Sequence, residues 1–146
     1  YSQDRALVRS LLKDDRFMAL PADRRSAVCE RIMQEVRGRM LEDIVLLETI
    51  KSAPGSNSVC KVRFEDSELD MVVADAEACT CEIFEIKHSA ARAPGQARRL
   101  NDAKLCGMVE HLFGPIARKT VLYRGGACEE GGVRYENAEN YLMKLA

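Results

Sequence analysis

The residues of this chain best suited to chemistry are an acid and an amine two positions apart, Glu85 and Lys87, in the stretch Cys81-Glu82-Ile83-Phe84-Glu85-Ile86-Lys87-His88. Ile83, Phe84 and Ile86 supply the β-branched and aromatic bulk of a buried strand. Side chains alternate across a strand, so Glu85 and Lys87 share one face and Phe84 and Ile86 the other. Burying either charge alone is costly, so the pair needs a partner or a purpose. Shortly before it, Glu68-Leu69-Asp70-Met71-Val72-Val73 reads as a second strand with another acid inside. Two acids on adjacent strands beside a lysine suit a divalent cation facing a phosphodiester.

Asp70 and Glu85 can bring carboxylate oxygens to about 2.0–2.1 Å from Mg²⁺, with water and a phosphate oxygen completing the octahedron. Lys87 can then orient the attacking water or stabilise charge on the phosphate. A plainer account uses the same residues: Asp70 closes a strand, Glu85 pairs with Lys87, and the lysine is only a counter-ion that makes two buried acids tolerable. His88 alternates to the opposite face from Lys87 and reads as a hydrogen-bonding residue at a strand end. His111, near a helix C-terminus, reads as a favourable dipole partner. Arg92, Arg98, Arg99 and Lys104 cluster after the acidic strand; Arg98 and Lys104 are the candidates to reach backbone phosphates, and a solvated helix face is the alternative.

The elements that must position these groups follow from periodicity. Residues 3–13 carry Ala6, Leu7, Leu11 and Leu12 at helical spacing, and Leu20-Pro21-Ala22-Asp23 turns the chain. From Asp23 a long helical pattern runs to Ser52, with Val28, Ile32, Val36, Met40, Ile44 and Leu47 three or four apart. Gly38 is expected to mark a break or a close contact. Ala53-Pro54-Gly55-Ser56-Asn57 stops the helix. Three strands follow: Ser58–Glu65, with Cys60, Val62 and Phe64 on one face; Glu68–Ala74; and Cys79–His88. A loop over residues 90–96 leads to a helix over Arg98–Phe113 with Leu105, Met108, Val109 and Leu112 as its apolar stripe. Gly114-Pro115 ends it. Lys119–Arg124 reads as a short buried strand, the glycines 125–126 and 131–132 flank a hairpin into Val133-Arg134-Tyr135, and Asn137 caps a last helix to Leu145. The class is α/β or α+β, a mixed central sheet flanked by helices, with extra N-terminal helices.

At 146 residues, 47% apolar and 31% charged, the composition is that of one globular domain. The net charge of −1 and pI of about 6.2 count against a dedicated nucleic-acid binder, yet they leave room for a basic rim around an acidic site. No apolar run approaches the roughly 20 residues of a membrane span, and no signal peptide is visible. The expected setting is cytoplasmic. The six cysteines lack zinc-ribbon spacing and read as free thiols, with a zinc site on Cys79, Cys81 and His88 as the lesser alternative. The first residue is not Met, so the chain is expected to be a piece of a longer protein.

The order helix, three strands, helix, strand, with Glu42 in the helix, Asp70 in the second strand and Glu85-Ile86-Lys87 in the third, resembles the PD-(D/E)XK, or restriction-endonuclease-like, superfamily. Leu69, not Pro, precedes Asp70. Over roughly residues 36–146 the chain looks like the domain found at the C-terminus of predicted AAA-type ATPases of bacteria and archaea. The stretches carrying that likeness are Arg37–Glu48, Glu68–Val72, Thr120-Val121-Leu122-Tyr123-Arg124-Gly125, Gly132-Val133-Arg134-Tyr135-Glu136-Asn137 and Tyr141-Leu142. The resemblance implies a restriction-endonuclease-like domain over 31–146, with residues 1–30 a helical segment packing on it. It implies a Mg²⁺- or Mn²⁺-dependent nuclease acting on DNA or RNA, with Glu42, Asp70, Glu85 and Lys87 catalytic and Asp70, Glu85 and Glu42 holding the metal. Glu48 rivals Glu42 on the neighbouring helix stripe. The resemblance also implies an ATPase module upstream; this chain has no Gly-x-x-x-x-Gly-Lys-Ser/Thr loop, so an ATP site is not expected within it. The rival expectation is a non-catalytic interaction or regulatory module of that ATPase with a relic site.

Overall fold

The computed structural model describes residues 9–11 and 13–146. Ala6, Leu7 and Leu12 of the expected first helix lie outside the described residues. The chain divides into two compact units at Arg39/Met40. In the first, a short helix α1 (Asp15–Met18) is capped by Asp14, whose carboxylate accepts from the Arg16 and Phe17 amides. A long helix, α2 (Ala22–Ser52), begins in this unit and continues into the second. It passes through Gly38 unbroken, and a methyl group there would meet nothing within 4 Å. The expected break is therefore absent: a helical glycine costs only about 1 kcal/mol relative to alanine, too little to interrupt a run of good helix formers.

The second unit, from Met40 onward, is a six-stranded mixed sheet with helices on both faces, an α+β fold. The strands are β1 (Asn57–Arg63), β2 (Glu68–Asp75), β3 (Thr80–Ile86), β4 (Ile116–Tyr123), β5 (Cys128–Glu130) and β6 (Val133–Asn137), in spatial order β1-β2-β3-β4-β6-β5. The first three form an antiparallel meander; β4 runs parallel to both β3 and β6, and β5 closes a hairpin on β6. On one face, Val45 of α2 and Ala138 of α4 (Ala138–Leu145) pack with Met71, Phe84, Ile86 and Leu122. On the other, Leu105 and Val109 of α3 (Ala103–Phe113) pack with Val72, Ile83, Val121 and Tyr135. The Thr49 and Tyr141 hydroxyls meet at 3.0 Å, tying the end of α2 to α4.

Local chemistry sets the ends of these elements. Helix α3 starts at Ala103, later than the apolar spacing alone predicts, because the Asp102 carboxylate accepts from the Lys104 and Leu105 amides. Arg98–Asp102 is instead a turn following a 3₁₀ segment, Pro94–Ala97. Asn137 caps α4 as its sequence predicts. Strand β3 begins at Thr80, since Cys79 adopts a positive φ and belongs to the preceding turn. Among the described residues no helix is long and apolar enough to cross a membrane.

Gly114 ends α3 at φ 87°, and a Cβ there would lie 2.3 Å from the Cys79 carbonyl oxygen. Both backbone conformation and space demand glycine. Gly114→Ala is expected to cost about 3 kcal/mol in urea unfolding, whereas Gly38→Ala is expected to add about 1 kcal/mol. Equal effects of the two substitutions would contradict this account.

Candidate functional site

The site forms where β2 and β3 part. Their paired register ends at Met71 opposite Phe84. On the other side of β2, Cys60 pairs with Val72 and Val62 with Leu69, so Asp70 and Met71 together oppose Lys61. That is a β-bulge, a device that re-aims side chains and ends pairing. The Asp70 carboxylate reaches across and accepts the Ile86 amide at 2.8 Å, filling the role of the missing backbone acceptor. Beyond it, β3 stays bound to β4, with the Lys87 amide donating to Leu122.

Into this gap come the acid and amine of β3. Lys87 Nζ lies 2.5 Å from Glu85 Oε2 and 3.3 Å from Asp70 Oδ2. The Glu85 and Asp70 side chains are only 2% and 5% exposed, the lysine 30%. Burial pushes the Glu85 carboxyl above its ordinary value and the Asp70 charge adds to this, while Lys87 and Arg99 oppose. For Lys87, burial alone would favour the neutral amine, but the two carboxylates outweigh it and hold the ammonium charged. The other Glu85 oxygen, Oε1, is buried without a hydrogen bond among the described residues; Arg99 stands 3.5 Å from it.

Asp70, Glu85 and Lys87 are thus in direct contact, and the expected fourth member is not. Glu42 sits on α2 near Leu41 and Val45, and its carboxylate pairs with Lys61 at 3.1 Å. Lys61 also holds Glu68 at 2.7 Å. The physical reason is alternation: Cys60 and Val62 face α3, so Lys61 between them faces α2. Burial lowers the Lys61 pKa, yet Glu68 and Glu42 more than compensate and push it up to about 12. Glu48 pairs with Lys51. Arg98 and Lys104 are exposed and make no side-chain ion pair among the described residues, Lys104 lining a hollow with Phe64, Asp66 and Met108.

Two residues at the site escaped the sequence reading. Arg99 was one of four clustered cations, and its contact with Glu85 depends on the turn that carries it. Gln96 is buried and cross-links the loop after Lys87: its amide nitrogen donates to Ser89 Oγ and the Ala91 carbonyl, and its oxygen accepts from the Ala93 amide. The only sequence signal for Gln96 was a polar residue amid small ones.

As a cation site, the gap offers two carboxylates with an orphaned buried oxygen between basic groups. Magnesium needs only one or two carboxylates and keeps several waters, so the oxygen donors of Asp70 and Glu85 fit it. Among the described residues no group of three or more His, Cys, Asp or Glu is arranged to hold a metal ion. Cys81 is buried and its thiol is pushed up by burial, unlike a zinc thiolate. No protein-family model matches the chain, and no curated protein matches it.

Glu68 and Glu85 titrate with opposite sign. The Lys61 hydrogen bond holds Glu68 below the ordinary carboxylate value, so its contribution to stability is present above that value and lost as pH falls through the lowered one. Glu85 lies above its ordinary value, so ionising it opposes folding at neutral pH, and acid relieves the penalty. Glu68→Gln is expected to lower stability at pH 7 by about 0.5–1 kcal/mol, the deficit closing towards about pH 3. Relative to wild type, Glu85→Gln should fare better at pH 7 than at pH 4, roughly the two sides of the carboxylate range. Urea unfolding at several pH values reads both; parallel pH profiles for the two variants would refute the assignment.

Proposed function

We propose that the second unit is a restriction-endonuclease-like domain that hydrolyses phosphodiester bonds in DNA or RNA with Mg²⁺ or Mn²⁺. The observation that carries this reading is the meeting of Asp70, Glu85 and Lys87 in the gap between β2 and β3. The order of α2, β1–β3, α3 and β4 agrees with the resemblance noted from the sequence. Asp70 and Glu85 would hold the cation, which when bound polarises the phosphate and lowers the pKa of its water. Lys87, whose side chain is partly exposed, would turn from the carboxylates to a phosphate oxygen and stabilise charge gathering there. The Gln96-braced loop would keep Lys87 at the mouth of the gap. Glu42, held by Lys61 on the face that α2 covers, takes no part in this reading. Arg98 and Lys104 would meet the nucleic-acid backbone. A cytoplasmic setting and an upstream AAA-type ATPase in a parent protein belong to the same reading.

One observation favours a second reading. Every acid named here already has a cation: Lys87 and Arg99 for Glu85, Lys87 for Asp70, Lys61 for Glu42. A fully neutralised cluster is what a non-catalytic module of the same ATPase would keep as a structural lock.

Incubation of the purified chain with labelled single- and double-stranded DNA and RNA, with and without Mn²⁺, separates the two. Cleavage that needs Mn²⁺ and falls by about 10²–10³-fold in Asp70→Asn and Lys87→Ala is expected. Activity should also decline as pH falls through the raised Glu85 pKa, because the protonated carboxyl no longer holds a cation. Removing Lys87 leaves buried acids unpaired, at a cost of about 3 kcal/mol, so thermal unfolding must accompany the assay. Equal inactivity of folded wild type and Lys87→Ala on every substrate would favour the structural lock.

A further inference from the structure

The Glu85 carboxylate is shared between two unlike cations. Lys87 takes Oε2 at 2.5 Å, a short charge-assisted contact. Arg99 stands 3.5 Å from Oε1, near enough for attraction and too far for a good hydrogen bond, and among the described residues Oε1 has none. A native protein rarely leaves a buried carboxylate oxygen in that state. Together Asp70, Glu85, Lys87 and Arg99 sum to zero charge, so a divalent ion joining them must displace positive charge that is already present.

Arg99 is the member free to leave. Its side chain is 47% exposed against 30% for Lys87, and among the described residues the one ion pair of its five-donor guanidinium is this loose contact, with the Glu68 charge also within electrostatic reach. Its backbone, in contrast, is held. Ala97 and Leu100 are buried on either side, the Asp102 amide donates to the Arg99 carbonyl, and Gln96 locks the preceding loop. A firm turn thus carries a half-exposed, loosely held head beside Glu85. The planar fork of arginine matches phosphate oxygens better than it matches one carboxylate oxygen at this distance.

We propose that Arg99 is a transferable counter-ion: it neutralises Glu85 in the free protein and passes to a backbone phosphate when nucleic acid arrives, leaving the carboxylate to the divalent cation. This rests on the nuclease reading. It makes metal and nucleic acid bind cooperatively through one side chain, and linkage requires each to strengthen the other by the same factor. Arg99 is then a coupling residue, whose loss affects the two ligands in opposite directions.

The test uses the full chain and reads binding, not cleavage. Mn²⁺ alone is titrated calorimetrically into wild type, Arg99→Gln, Arg99→Lys and, as a control for bulk charge, Arg118→Gln, whose arginine pairs with Glu82 elsewhere on the sheet. In parallel, anisotropy of labelled short DNA and RNA duplexes is followed in metal-free buffer, the two arms showing which backbone is taken. Arg99→Gln is expected to bind Mn²⁺ about fivefold more tightly than wild type and the preferred duplex about fivefold more weakly, of the order of ordinary site-to-site coupling. Arg99→Lys should return Mn²⁺ affinity towards wild type, and Arg118→Gln should leave it unchanged. Unaltered Mn²⁺ affinity in Arg99→Gln, or an equal gain in Arg118→Gln, overturns the proposal while leaving the nuclease reading intact. Wild type that binds neither Mn²⁺ nor either duplex defeats both.

Discussion

The gap between β2 and β3 depends on one ammonium group. Asp70 and Glu85 are almost wholly removed from water, and their mutual repulsion adds to the cost of burying each. Lys87 offsets both terms at once by touching both acids. Without a cation in that position, the Glu85 carboxyl would take up a proton or the strands would close on each other. The same demand explains why the site is built from strands: Glu85 and Lys87 are held on one face by alternation, so no loop entropy is lost in bringing them together.

The bulge at Asp70 and Met71 is the second constraint. An extra residue opposite Lys61 breaks the β1–β2 register and shifts which side of β2 each residue serves. Leu69 joins the core facing α3 together with Val72, while Met71 joins the core facing α2. Asp70, between these two fates, turns into the plane of the sheet and bonds the Ile86 amide. A regular ladder would have given that amide a backbone partner and left Asp70 pointing away from the gap.

Much of this architecture was legible in the chain. The alternation of Cys60, Val62 and Phe64, the Asn137 cap and the Gly114-Pro115 stop all signal through neighbours in sequence, and each holds in the fold. Gly38 does not break its helix because a glycine's local cost is small against the good helix formers on either side of it. Likewise, the apolar stripe of α3 drew its expected start back to Arg98, although the Asp102 cap decides the boundary.

The sequence by itself determined that Glu85 and Lys87 share a strand face, that an acid lies in the strand before them, and the order of the main helices and strands, though neither the short helix at Asp15–Met18 nor the turn at Arg98–Asp102. These follow from periods of two and 3.6 residues and from caps acting over a single turn. Only the tertiary structure decided which cation meets which acid: Lys61 with Glu42, Lys87 with Asp70, Arg99 with Glu85. Such pairings join segments far apart in the chain. They turn on strand register, on one extra residue at a bulge and on the path of a turn, and none of these leaves a periodic trace in the order of the amino acids.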